Sequence, residues 1–148
     1  MYLTLLSVHN IFRWLVLLSV IFTVISAFSG LLLQRRYSPI DKAGRIATAM
    51  TSHIQLLIGF TLYFFSPLTQ YFVGNSSQAW GANEFTFFGI YHMAMMFVAI
   101  VVMTIGSANA RQAATDSGKF KTTAIYFSIG FVLILCAIPW FRPFFRSF

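Results

Sequence analysis

Carboxylates are scarce in this chain. Asp41, Glu84 and Asp116 are the only three among 148 residues, and each is expected in a loop or at a helix end. Their absence from the interior excludes a Glu-rich di-iron centre of the four-helix type and counts against a proton relay built on buried carboxylates. Cysteine is scarcer still. The single Cys136 can make neither an intrachain disulfide nor a Cys-based zinc site, and it reads as a small apolar filler. Proline occurs four times, at Pro39, Pro67, Pro139 and Pro143, always at or beyond the end of an apolar run, so no helix interior is interrupted. There is no internal repeat, low-complexity tract, Gly-rich phosphate loop or nucleophile motif. The amino terminus lacks the basic region and cleavage site of a secretory signal, and its apolar run is too long for one, so it reads as a retained span.

What the chain does have is apolar length. Hydrophobic residues make up 58% of it, aromatics 18% and charged residues 9%, the composition of a membrane protein. Four segments carry no formal charge: Trp14 to Gln34, Ile46 to Asn83, Phe85 to Ala110 and Thr122 to Phe141. A spanning helix needs about 20 mainly apolar residues, so each supplies one span, approximately 8–34, 44–66, 85–109 and 122–141. The connections, roughly Leu68 to Glu84 and Arg111 to Lys121, are too short to bury a core of their own. The expected architecture is all-α, a single membrane domain over 1–148 folded as an up-down-up-down four-helix bundle.

The net charge of +7 follows that topology. Arg35, Arg36, Lys42 and Arg45 are expected in the first loop, and Arg111, Lys119 and Lys121 in the third, whereas the middle loop has no Lys or Arg. The positive-inside rule then makes the two basic loops cytoplasmic and puts both termini on the outer, periplasmic side of a bacterial cytoplasmic membrane. Arg142 and Arg146 count mildly the other way. The basic excess is thus a topology signal and not a nucleic-acid surface. Tyr63, Tyr71, Trp80 and Trp140 fall near the outer ends, as an interfacial aromatic belt would.

Spacing of three and four gives the inward faces. The first helix offers His9, Arg13, Val16, Val20, Thr23, Ala27, Gly30 and Gln34. The second offers Arg45, Thr48, Ser52, Gln55 and Gly59, with His53 on the edge of the sector. The third offers His92, Met96, Ala99, Met103, Gly106 and Ala110. Small and polar residues gather where membrane helices meet each other, so most of these stripes are packing. The three histidines differ, because an ionisable side chain within a span is expensive and marks a site. Imidazole suits haem iron, and also zinc or copper. One ion held by all three needs them at one depth. His92 lies about 12 Å inside the outer end of its helix and His53 roughly 20 Å below Pro67, while a first span opening at residue 8 leaves His9 near the outer surface with Arg13 about 6 Å deeper. Haem b is therefore the preferred cofactor, with His53 and His92 as axial ligands and the pair His9 and His92 as the alternative. With iron between His53 and His92, Arg13 and His9 stand where propionates would reach outward, and an arginine fork pairs with a carboxylate. Snorkelling of Arg13 beside Trp14 is the other explanation of its place.

The motifs "HNIFRW", "HIQLLIGFTLYF", "YHMAMM" and the closing "IPW" resemble the small four-helix membrane proteins of Bacteroidota commonly labelled cytochrome b. The resemblance covers nearly the whole chain and implies haem b in a cytoplasmic-membrane bundle, with His9, His53 and His92 the matching histidines. Larger membrane cytochromes b usually hold two haems on four histidines, and this chain has three. The function expected is a membrane electron carrier, with quinol a candidate donor and His9 a candidate proton handler. The alternatives are an accessory or assembly subunit of a larger respiratory or transport complex, and a copper-handling protein, which the lack of Met-rich or Cys-rich loops disfavours.

Overall fold

The computed structural model describes residues 1–81 and 83–142; Pro143 and Arg146 lie outside the described residues. The first helix, α1, runs Tyr2–Leu32, and α2 runs Pro39–Phe65. The second connection folds into short helices, α3 Pro67–Gly74, α4 Ser76–Ala79 and α5 Asn83–Thr86, followed by a π-helical turn over Phe87–Tyr91. Helix α6 (His92–Gln112) and helix α7 (Asp116–Ala137) complete the bundle. Four stretches are long and apolar enough to cross a membrane: Tyr2–Leu32, Pro39–Phe65, Glu84–Gln112 and Asp116–Ala137. The chain is a multi-pass membrane protein with the expected all-helical bundle, and no strand occurs among the described residues.

Local chemistry sets the helix limits. Ser38 caps α2 in a capping box, its hydroxyl accepting from the Asp41 N–H while the Asp41 carboxylate takes the Ser38 N–H, and Pro39 follows at a position that needs no donor. Thr115 caps α7 by accepting from the Gly118 N–H at 3.0 Å. At the end of α1 the Arg35 N–H reaches the Gly30 carbonyl at 3.3 Å and the Gln34 N–H reaches Leu31 at 3.4 Å. Gln34 takes the left-handed φ of +48° that this closure demands. Gln34, expected on the inward stripe, therefore lies past the helix and is exposed.

Helix α1 packs against α2 and α7, and α6 against α7 and α2, so α1 and α6 stand diagonally across the bundle. The core holds Val16, Val20, Ala99, Met103, Phe127 and Ile134. Glycines let α6 and α7 close on each other: a methyl at Gly106 would collide with Tyr126 Cβ, and one at Gly130 with Met103 Cγ. Helix α2 is inverted relative to a soluble helix. Its buried residues are Asp41, Arg45, Thr48 and Ser52, while Met50, Leu57 and Phe64 face outward, as lipid permits.

Two expectations about single residues are corrected here. Asp41, expected in a loop or at a helix end and outside the interior, does stand at the start of α2 but is 6% exposed, because the capping box draws it into the first turn. Cys136 is exposed on α7 and fills no interior gap. The connection from 67 to 81, expected as plain loop, is mostly helical, with Thr69, Phe72 and Ala79 buried.

Candidate functional site

Two of the three histidines meet. The rings of His9 on α1 and His92 on α6 stand with centroids 6.2 Å apart and planes inclined at 67°, across the bundle diagonal near the end where α1 begins. His92 is aimed by the π-helical turn that precedes it. The His92 N–H bonds the Phe87 carbonyl five residues back, and the extra residue in that turn rotates everything after it. Its Nδ1 lies 2.8 Å from the Ala137 carbonyl oxygen, one of the acceptors left over at the end of α7. Only an N–H can donate there, so in the neutral ring Nε2 keeps its lone pair. That is how a second partner prepares an imidazole for a metal. The rings of Phe87 and Phe88 stand 5.9 and 5.8 Å from His92.

His9 is held mainly by α2. Gln55 Nε2 donates to the His9 carbonyl at 3.0 Å, and a methyl on Gly59 would meet His9 Cε1 at 3.3 Å, so the glycine makes room for the ring. His9 Nδ1 is buried with no hydrogen-bond partner among the described residues. Arg13, one turn deeper, places its guanidinium 5.5 Å from the Trp14 ring centre.

His53 stands elsewhere. It is exposed, its Nδ1 lies 2.6 Å from the Ala49 carbonyl and its Nε2 3.2 Å from Thr104 Oγ1. Thr104 is twelve residues beyond His92 on α6, about 18 Å along the axis. His53 and His92 are therefore too far apart to hold one ring, which corrects the expected axial pairing. The place drawn for Arg13 beside outward propionates rested on that pairing and goes with it. The depth error has a simple source. Helix α1 begins at Tyr2 and not near residue 8, which puts His9 about 10 Å along its helix, level with His92 about 12 Å beyond Glu84. Among the described residues no three His, Cys, Asp or Glu side chains come together, so a three-histidine zinc or copper site is not formed.

The donor set fits an iron with two axial imidazoles: one fixed lone pair on His92 and a buried, unpartnered nitrogen on His9. Beside it, an open cavity of about 710 Å³ is lined by Phe87, Tyr91, Trp80, Glu84 and Phe141. Glu84 in that lining accepts from the Arg142 guanidinium at 3.0 and 2.9 Å.

Sequence reasoning placed Gln55 and Gly59 on the inward face but gave neither a partner. It missed the Ala137 carbonyl, although a helix stopping before "IPW" announces free acceptors. No family model, curated protein or solved structure matches the chain.

Proposed function

We propose that the chain is a membrane haem b protein that carries electrons, with His9 and His92 the residues that would hold the haem iron. The observation that carries this is the 6.2 Å between the two ring centres. An imidazole–metal bond of about 2 Å on each side, plus roughly 1 Å from nitrogen to ring centre, sets two rings on opposite faces of one ion about 6 Å apart. The resemblance of its motifs to those of small four-helix cytochrome b-like proteins points the same way. Bound haem would supply one-electron chemistry at its iron.

The chain's own residues prepare the site. The Ala137 carbonyl fixes the His92 tautomer and makes Nε2 a better donor. Gln55 anchors the backbone of His9, and Gly59 leaves space for its ring. Phe87 and Phe88 keep water from His92 on the loop side. The two basic loops favour an orientation with the histidine pair toward the outer face of a bacterial cytoplasmic membrane. At that depth a quinol is a reasonable electron source, and the thin extramembrane surface suits a partner within a larger complex.

A second reading, an accessory subunit of a larger complex, is favoured by His53, an exposed imidazole halfway along a span and hence a group that another protein would cover. The test is a reduced-minus-oxidised spectrum of the protein purified in mild detergent. A b-type band is expected, lost in His9→Ala and in His92→Ala and kept in His53→Ala. A band lost with His53 but kept without His9 would reverse the ligand assignment, and no band in the wild type leaves the accessory reading.

A further inference from the structure

At the end of the bundle far from the histidine pair, seven Lys and Arg side chains stand against two carboxylates, Asp41 and Asp116. Among the described residues only two of the seven, Arg35 and Lys119, are in ion pairs. We propose that the cavity between the end of α1 and the start of α7 binds the phosphate of an anionic phospholipid. The way α1 stops builds this cavity. Gln34, in its left-handed turn at φ +48°, bends the chain off the helix axis, and the Arg35 N–H folds back to the Gly30 carbonyl at 3.3 Å. Arg35 and Arg36 thereby face Asp116 and Ser117, which open α7, across an enclosed volume of about 330 Å³. That size suits a small polar group. The floor is rigid, because Gly30 lies so close to the buried Phe120 ring that a methyl there would collide with it.

The charges around the cavity are not equal. Arg35 stands 4.8 Å from the centre of the Phe120 ring, and Asp41 holds both its Nη atoms at 2.6 and 2.7 Å, so its charge is already answered and it acts as a wall. Asp116 is the one carboxylate in the lining, and Lys119 offsets it at 3.6 Å. Arg36 is what remains, exposed and in no ion pair. A guanidinium presents two parallel N–H groups to a phosphate, and the Ser117 hydroxyl on the opposite wall can donate another hydrogen bond. The neighbouring surface favours a lipid over a free anion. Phe28, a turn before Leu31 on α1, and Ile125, two turns after Ser117 on α7, are each 47% exposed, and they offer acyl chains apolar surface on both helices. Lys121, one turn from Ser117 and exposed, adds a cation beside the headgroup with its stem along that surface. With the basic loops on the cytoplasmic side, as proposed above, the adjoining leaflet is the anionic one. A phosphate held there ties the end of α1 to the start of α7.

No residue of this cavity touches the histidine pair, so the site is tested without haem. The purified full-length protein in mild detergent is mixed with equal amounts of phosphatidylglycerol and phosphatidylcholine of one chain length, and the lipid it retains is weighed by native mass spectrometry. Phosphatidylglycerol should be held in preference. Arg36→Gln breaks no ion pair, so the fold is kept, and the preference should fall at least about fivefold, the worth of one basic residue at an anionic headgroup. Arg111→Gln removes an exposed charge at the same end but outside the cavity and should leave the preference standing. Asp116→Asn takes the carboxylate out of the lining and should strengthen it. Equal retention of the two lipids, an undiminished preference in Arg36→Gln, an equal loss in Arg111→Gln or a weaker preference in Asp116→Asn would each overturn the site. Displacement of phosphatidylglycerol by inorganic phosphate would overturn the lipid in favour of the free anion.

Discussion

Replacing Asp41 with alanine should destabilise the protein more than any single change at the outer surface of the bundle, and the magnitude can be worked from its contacts. The carboxylate accepts both Arg35 guanidinium nitrogens at 2.6 and 2.7 Å, the Ser38 N–H at 2.8 Å, the Ser38 hydroxyl at 2.7 Å and the Ser26 hydroxyl. Loss of the capping box costs about 1 kcal/mol. Breaking a buried ion pair costs about 3–5 kcal/mol, but the Arg35 side chain is 33% exposed against 4% for Asp41. Solvent takes up part of that charge, and about 2 kcal/mol is the fairer share. The sum, about 3 kcal/mol, corresponds to a fall of roughly 6–12 °C in Tm for a chain of this length. The assay is thermal unfolding in mild detergent of Asp41→Ala, Arg35→Ala and the double variant. A loss in Asp41→Ala below about 2 °C, or strictly additive effects of the two changes, would refute the idea that this pair joins α1 to α2. The hydrogen bond to Asp41 holds the Arg35 guanidinium above its ordinary pKa. Such a group contributes stability below its unfolded pKa and loses it only as pH rises past the folded one, so its share should be constant through the neutral range.

Two further changes test the packing. Gln34→Gly removes a side chain from a left-handed position with φ of +48° and should stabilise by about 0.5–1 kcal/mol, read as a rise of about 1–4 °C in Tm. Gly106→Ala should destabilise by about 1–3 kcal/mol or more, and by more than Gly130→Ala. The added methyl at Gly106 meets Tyr126 Cβ, which is tied to its backbone, whereas at Gly130 it meets Met103 Cγ, which can change rotamer. Equal losses in the two thermal melts would contradict that account.

Much of this architecture was legible in the amino-acid order because the bilayer imposes few choices. Apolar runs, prolines at their ends and small or polar residues at spacings of three and four gave the four spans and the inward faces of α1, α2 and α6, and Val20, Thr48, Ala99 and Met103 are buried as those spacings require. Where the reading went astray, the cause was the count along an axis. The charge-free run beginning at Trp14 drew the first span inward, although the stretch from Tyr2 onward continues the helix without a charged residue until Arg13. About 9 Å of misplaced helix was enough to exchange His9 for His53 as the partner of His92. Neither the π-helical turn before His92 nor the outward rotation of His53 has a marker in the sequence, since both are set by how α6 seats against α7 and α2.

His53 itself shows why a polar side chain at helical spacing does not declare its direction. Its Nδ1–H donates to the carbonyl of Ala49 one turn back, and its Nε2 lies 3.2 Å from the hydroxyl of Thr104 on the neighbouring helix, so the ring finds polar partners without entering the core. The Thr104 hydroxyl has one proton to share between that nitrogen and the Ile100 carbonyl 2.7 Å away. A ring satisfied by its own helix and one neighbour can face outward at moderate expense, whereas His9 and Ser52, which point inward, are the groups left with unmet atoms. In a chain this poor in charge, the unmet groups, more than the exposed ones, locate where a ligand has reason to be.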